Sequence, residues 1–204
     1  MRFLVRLSNQ SGAMSADRKQ ISKAAYETVR HFGADVGNLR ISSSAIELDL
    51  LLDSEQELQE SLKVLESQLG RLLTIRKLDV RSPPMHDEEA IRLGLDLFNQ
   101  ERYWESHEAL ESAWRNAQGD EKGILQGLIL VAAALVHWQK NEKQVTLSVM
   151  KRARDKLAPH QKEYFGVNLV ALTDRLSRIL DLGEPGFFKL AEVKTANHRN
   201  SEAT

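Results

Sequence analysis

The chain has 204 residues, of which 42% are hydrophobic and 28% charged, proportions typical of a soluble globular protein. Its 28 Lys and Arg residues are balanced by 29 Asp and Glu residues, so the formal net charge of −1 gives no global basic field for nucleic acid or anionic membrane. The absence of cysteine excludes disulfides, thiol nucleophiles and cysteine-held zinc or iron–sulfur clusters. Any bound metal would need histidine, carboxylate or amide oxygen ligands.

The start of the chain, MRFLVRLSNQSG, lacks the long apolar core of a signal peptide, so we expect a cytoplasmic protein. The most apolar run extends from Gly123 to Trp138. It is shorter than the roughly 20 residues that span a bilayer, and Gln126 interrupts it. We therefore expect a central buried helix and no membrane partner.

The first part of the chain alternates strand and helix patterns. A strand is followed by a helix from Ser15, its predicted N-cap, to Gly33, and two strands precede a helix that begins with the capping-box pair Ser54 and Glu57. The predicted strands are RFLVRLS, NLRIS, AIELDLLL and LLTIRKLDV. The resulting βαββαβ order predicts a ferredoxin-like domain over residues 1–82, one sheet with two helices on one face.

Alternation along the strands divides their side chains between two faces of the sheet. The set predicted to face the helices is Phe3, Val5, Leu7, Ile46, Leu48 and Leu50. The set on the opposite face is Arg2, Arg6, Glu47 and Asp49. Because that face offers no aromatic residue on which bases could stack, we expect little RNA binding. We expect instead a solvated face with cross-strand ion pairs, or a surface that pairs with another domain or with a second copy in a homodimer.

Pro83 and Pro84 predict an extended linker, and every pattern after it is helical. The predicted helices cover residues 87–99, 103–117, 121–140, 142–157 and 168–181. Asn168 is the predicted N-cap of the last helix. The predicted fold class is therefore α+β, with an all-α domain over residues 86–193 and a polar, disordered tail over 194–204. We expect the two domains to fold separately, since each has its own core pattern.

The stretch YWESHEALESAWR, residues 103–115, places ionisable groups on an apolar helix face. At about 100° per residue, Tyr103, His107 and Trp114 share an arc of roughly 60°, and Glu111 lies about 40° beyond His107. Burying an unpaired ionisable group costs several kcal/mol. These groups must therefore either pair in a network or form a functional site.

The residues LFNQERYWESHEALESAWR, followed by GILQGLILVAAALVHWQKN, resemble the helical family called domain of unknown function DUF309. The resemblance covers residues 87–181. Its polar signature corresponds here to His107, Glu108, Glu111, Trp114 and Gln126. The chain departs from the family at Glu101, where glycine is usual, and at the next inter-helix turn, where Lys140 and Gln144 replace glycines. The resemblance implies a helical fold and no particular activity.

A hairpin of the helices at 103–117 and 121–140 would set Glu111 level with Gln126, which predicts a cluster of His107, Glu111 and Gln126 with Glu108 at its edge. Three interpretations remain open. The cluster is a buried structural network, or a divalent metal site ligated by His107, Glu108 and Glu111, or a catalytic site in which Glu111 orients His107 as general base or acid. Tyr103, Trp104 and Trp114 would wall such a pocket, and the ligand-binding set is Tyr103, Glu108, Trp114 and Gln126.

Two functional hypotheses follow. The first is a small-ligand or divalent-metal activity, hydrolytic in one form, with an unknown small ligand. The second is a non-catalytic assembly or protein-interaction module that recruits a protein partner. The densest basic run, KRARDK at 151–156, is spread around its helix, which favours a solvated face over a phosphate contact. His160 follows Pro159 and is predicted to be a loop residue.

Overall fold

A computed structural model describes residues 1–78 and 85–190 and has an α+β architecture. The elements of the N-terminal half are β1 (Arg2–Ser8), α1 (Arg18–Val29), β2 (Asp35–Ile41), β3 (Ala45–Leu51), α2 (Glu55–Leu69) and β4 (Leu72–Lys77). They form a four-stranded sheet in the order β2-β3-β1-β4. All three strand pairs are antiparallel.

The helix starts in this half are only partly as predicted. The capping box is confirmed, because Ser54 Oγ accepts from Glu57 N at 3.2 Å and the Glu57 carboxylate accepts from Ser54 N. Ser15 as N-cap is wrong, since it lies in a 3-10 turn, Ser15–Asp17, ahead of α1. The charged carboxylate of Asp17 accepts from Met14 N at 2.8 Å, and a carboxylate is a stronger acceptor than a serine hydroxyl.

The hydrophobic core of the N-terminal half lies between the sheet and its two helices. The six apolar residues predicted to face the helices, Phe3, Val5, Leu7, Ile46, Leu48 and Leu50, are all buried in it. They are joined from the helices by Ala25, Val29, Leu58, Leu62 and Leu65. The prediction from alternation is confirmed, because a residue period of two fixes the face of each strand side chain.

Helices dominate residues 85–190. They are α3 (Asp87–Asn99), α4 (Tyr103–Trp114), α5 (Gly119–Gln139), α6 (Lys143–Leu157) and α7 (Leu169–Leu182). Each packs against the next in chain order. They enclose a second core that shares no buried residue with the first. The predicted N-cap is confirmed, since Asn168 Oδ1 accepts from Ala171 N at 3.0 Å.

A short hairpin between α6 and α7 was not predicted. Its strands, β5 (Glu163–Tyr164) and β6 (Val167–Asn168), have two residues each, too few to show alternation. Phe165 and Gly166 form the turn with φ values of 48° and 81°. Positive φ at both central residues is typical of the tight turn that joins antiparallel strands.

The centre of the outer face of the sheet is buried within this chain, contrary to our expectation of a solvated face, whereas Arg2 at its edge is 43% exposed. Arg40, Glu47 and Asp49 on that face are at most 3% exposed. Trp104 of α4 lies over Arg40, and Glu108 of α4 pairs with Arg76 of β4, so α4 lies against the centre of this face.

Two predictions concern residues outside the described part, the Pro83–Pro84 linker and the disordered tail at 194–204. Among the helices of residues 1–78 and 85–190, none has the length and apolar character needed to cross a bilayer.

Candidate functional site

The ionisable face of α4 lies against the outer face of the sheet. The guanidinium of Arg40 lies over the ring of Trp104, with 5.8 Å from Cζ to the ring centroid. Arg76 in β4 donates from Nη2 to Glu108 Oε2 at 2.9 Å. A charged group over an aromatic face and a cross-element ion pair both fix orientation. Trp104 and Glu108 of α4 thus both contact the sheet.

Three charged side chains of the sheet are buried at this interface. Arg40 Nε lies 3.4 Å from Glu47 Oε2, and its Nη2 lies 3.6 Å from Asp49 Oδ1. Asp49 Oδ2 also accepts from Arg2 Nη2 at 2.5 Å and from Asn38 Nδ2 at 2.8 Å. Burial raises the pKa of the Glu47 carboxyl, and the positive charge of Arg40 partly opposes that rise. The interface therefore holds charge that is costly to desolvate and must stay paired.

Glu105 completes the charged set on α4. Its two carboxylate oxygens accept from Arg102 Nε at 2.6 Å and Nη2 at 2.7 Å, in a bidentate pair. Arg76 Nε lies 3.8 Å from the same carboxylate. The hydrogen bond to Glu105 raises the pKa of Arg102, which keeps this guanidinium charged.

The turn between α3 and α4 binds the sheet half through Glu101. Its carboxylate accepts from Ser43 N at 2.7 Å and from Ser43 Oγ at 2.6 Å. Glu101 has a φ of 60°, a left-handed conformation that costs a residue with a Cβ about 1 kcal/mol. Gln139 Nε2 donates to the carbonyl of Glu101 at 2.8 Å, and Arg6 Nη2 donates to that of Gln100 at 3.3 Å. The turn is thus bonded to the N-terminal half through Ser43 and Arg6 and to the helical half through Gln139.

The turn between α5 and α6 approaches the same sheet. Lys140 Nζ lies 3.5 Å from Asn38 Oδ1 at the bulge of β2. Burial lowers the pKa of Lys140, and the nearby positive charge of Arg40 lowers it further. Glu101 and Lys140 are two of the three positions at which the chain departs from the pattern of the family that its sequence resembles, and both contact the sheet half.

His107 and Glu111 do not meet in the way that a catalytic pair would. The His107 ring stacks on Trp104, with centroids 6.1 Å apart and planes 7° apart, and its buried Nδ1 has no hydrogen-bond partner among the described residues. Glu111 instead lies 3.6 Å from Arg115 on its own helix and is half-exposed. The roles of His107 and Glu111 in catalysis stay predictions.

The aromatic residues of the predicted pocket pack into the helical core. Tyr103 is fully buried, in edge contact with Phe98 at 4.8 Å, and burial raises the pKa of its hydroxyl. Trp114 packs against the same core, and Lys122 Nζ lies 4.7 Å from its ring centroid. The main role of both aromatic rings is therefore to pack in the helical core, as is usual for large buried rings.

The predicted metal set does not assemble. Within residues 1–78 and 85–190, no group of three or more His, Asp and Glu side chains is placed to hold a metal ion. Glu108 is engaged by Arg76, while Glu111 lies beside Arg115. A divalent ion prefers several convergent oxygen or nitrogen ligands, and His107, Glu108 and Glu111 do not supply them together.

Gln126 lies apart from the other predicted site residues. It lines an open cleft of about 570 Å³ between the start of α5 and the end of α6. Arg152, Lys156 and His160 line the same cleft, and no described residue of α4 does. Gln126 lies 14 residues before Lys140, which contacts the sheet, so the cleft and this contact are about 21 Å apart along α5.

Several residues of the interface were not predicted as site residues from the sequence. Arg40 alternates with the buried Leu39 and Ile41, a signal that places its side chain on the outer face. Arg102 and Glu105 are spaced i,i+3, which is the spacing of a helix ion pair. No sequence signal links Glu101 with Ser43, because 58 residues separate them.

Replacing Glu111 by Gln should change the free energy of unfolding by less than about 0.5 kcal/mol, since exposed ion pairs contribute little. The pair is exposed on both sides, with side-chain exposures of 69% for Arg115 and 39% for Glu111. Urea unfolding followed by circular dichroism measures the change. A loss above about 1 kcal/mol would instead make Glu111 part of a buried network.

Comparison with known proteins gives two similarities. Residues 91–149 match the sequence model of the family described as Domain of unknown function (DUF309). A solved structure of a conserved hypothetical protein from Thermus thermophilus is similar at 32% sequence identity, covering 44% of this chain and 94% of that chain, with a TM-score of 0.39. Among curated proteins, none matches the chain.

Proposed function

We propose that the protein is a non-catalytic assembly module in which α4 docks the helical half, whose residues 91–149 match the DUF309 family model, onto the sheet. The family description assigns no activity, so the proposal rests on contacts. The ionisable groups of α4 are used to bind another part of the protein.

Glu101 carries the proposal. A glycine would adopt its left-handed backbone without strain, and glycine is usual there in the family that the sequence resembles. This chain has a glutamate whose two carboxylate oxygens both bind Ser43 of the sheet half. A strained residue with a specific long-range contact supports selection for that contact, because the strain has no local benefit.

The N-terminal half supplies a matching surface. We infer that it is a ferredoxin-like domain, since its βαββαβ order and antiparallel β2-β3-β1-β4 sheet fit that class. Such a sheet has one face covered by its own helices and leaves the other free for a partner. Here α4 is the proposed partner, and the cytoplasmic location stays a prediction.

A small-ligand role at His107 is the second candidate function. One observation favours it, the buried Nδ1 of His107 that has no hydrogen-bond partner within residues 1–78 and 85–190. A buried polar atom without a partner is unusual and calls for a water or a ligand. The engagement of Glu108 by Arg76 makes this candidate the weaker of the two.

The docking proposal is tested by measuring the distance between the two halves. The chain has no cysteine, so spin labels can be attached through Lys63→Cys on α2 and Asp174→Cys on α7, both exposed. We expect one narrow distance distribution for the labelled parent. We expect a broadened distribution when Glu101→Gly and Arg76→Gln are added, because they remove two links between the halves.

A matched control carries Asn141→Gly and Arg92→Gln. Asn141 has the same φ of 60° as Glu101, and Arg92 forms a comparable exposed ion pair with Glu88 at 2.8 Å. In the part of the chain that the structure describes, neither side chain forms a hydrogen bond or an ion pair with the sheet half. An equally broad distribution in the control, or an unchanged one in the test variant, would reject the docking role.

A further inference from the structure

We propose that the cleft between the start of α5 and the end of α6 is a binding site for a small organic phosphate. Arg152 and Lys156 would bind the phosphate, and Gln126 would hydrogen-bond a polar group of the ligand. The site lies at the end of α5 remote from the sheet and is independent of the docking role of α4.

The first argument is that four polar side chains line this cleft without forming a bond to other described side chains. Arg152, Lys156, Gln126 and His160 all line it. In the part of the chain that the structure describes, none of these side chains has a hydrogen bond or an ion pair, whereas most charged groups of α4 are paired. Gln126 and His160 are also half-buried, so their donors and acceptors are partly shielded from water. A ligand would satisfy them.

The second argument is the balance of charge. Two carboxylates, Asp120 and Asp155, also line the cleft. Asp155 is neutralised by Arg154, which donates to Oδ1 from Nη2 at 2.8 Å and from Nε at 3.0 Å. Asp120 lies in the first turn of α5, where the helix dipole stabilises a carboxylate. Neither Arg152 nor Lys156 forms an ion pair among the described residues, and two cations against the single remaining carboxylate, Asp120, leave an excess positive charge that favours an anionic ligand.

The third argument is shape. Arg152 and Lys156 are spaced i,i+4 and lie side by side on α6. Across the cleft, Gly123 leaves room for the imidazole of His160, because a Cβ at that position would lie 2.9 Å from Nε2. The guanidinium of an arginine matches two phosphate oxygens at once, and a lysine adds a point charge beside it. This arrangement fits one phosphate group.

The size of the cleft argues for an organic phosphate over a bare ion. A volume of about 570 Å³ lies within the usual range for sites that hold small organic molecules. Leu130 adds an apolar wall, and Gln126 beside it offers both a donor and an acceptor. A phosphate alone would leave both residues without contact.

The test uses the full chain and two probes, inorganic phosphate and phenyl phosphate, at constant ionic strength set with chloride. Amide chemical shifts in NMR spectra report where each probe binds and its Kd. We expect saturable shifts confined to residues 119–130 and 152–160, with phenyl phosphate bound more tightly than inorganic phosphate. We expect Arg152→Gln to weaken phenyl phosphate binding about tenfold, the usual effect of losing a charged hydrogen bond.

Lys151→Gln is the matched control, because it removes one exposed positive charge from the same helix outside the cleft. We expect its Kd to stay within twofold of the wild-type value. The proposal is overturned if shifts do not saturate, if Lys151→Gln weakens binding as much as Arg152→Gln, or if inorganic phosphate binds as tightly as phenyl phosphate. None of these outcomes depends on how α4 contacts the sheet.

Discussion

Replacing Asp49 by Ala should lower the free energy of unfolding by about 3 to 5 kcal/mol, the usual cost of removing one partner from a buried ion pair. Asp49 is 2% exposed and accepts hydrogen bonds from Arg2 and Asn38. It also lies 3.6 Å from Arg40, which is 3% exposed. Without Asp49, the buried Arg40 retains only Glu47 as a close counter-charge among the described residues. Urea unfolding followed by circular dichroism measures the loss.

Glu27→Ala provides the control for this prediction. Glu27 pairs with Arg30 at 2.8 Å on the surface of α1, with both side chains more than 40% exposed. We expect its removal to cost less than about 1 kcal/mol, as for other exposed pairs. If Asp49→Ala cost no more than this control, water would have to reach the charged interface, and the close packing of α4 on the sheet would be wrong.

Much of the fold could be predicted because periodic patterns report local structure. The alternation of Phe3, Val5 and Leu7 placed β1 and its inner face correctly. The acidic residues after Pro84 and the apolar period after them predicted α3 with its observed bounds, Asp87–Asn99. Both patterns depend only on residues that are close together in sequence, so one amino-acid sequence is enough to show them.

The covering of the sheet could not be predicted from the same patterns. Arg6, Glu47 and Asp49 lie on a polar face, and polarity ordinarily indicates contact with water. The burial of Glu47 and Asp49 requires a covering element, which is bonded to the sheet half by groups far away in sequence, as Glu101 is to Ser43 and Glu108 to Arg76. A periodicity identifies which residues share a face but carries no information about which distant element covers it.

The position of Gln126 shows the corresponding limit for the site. Counting residues from the turn of a helical hairpin predicts how far along the helix axis Gln126 lies. On this basis Gln126 was expected to lie opposite Glu111. The side of α5 on which it lies depends on the rotation of the helix about its axis. Because α5 is apolar on nearly every side, with buried residues from Ile124 to Val136, its pattern does not distinguish the face toward α4 from the face toward α6.

Replacing Gly127 by Ala should lower the free energy of unfolding by about 1 to 2 kcal/mol. A Cβ at Gly127 would lie 2.5 Å from both Cγ and Cδ2 of Leu157, which is fully buried on α6. Forcing extra atoms into a packed core costs roughly 1 to 3 kcal/mol. The higher helix propensity of alanine offsets up to about 1 kcal/mol of this packing cost, so the net change is destabilising.

Gly123→Ala, one helical turn earlier on α5, separates the two contributions. Its Cβ would approach only the outer end of the His160 imidazole, which can turn away. We therefore expect Gly123→Ala to be neutral or to stabilise the protein by up to about 1 kcal/mol through helix propensity. Thermal and urea unfolding of both variants measure the difference. If Gly127→Ala were as stable as Gly123→Ala, α5 and α6 could separate without cost, and the cleft that Gln126 and Arg152 line would have no fixed shape.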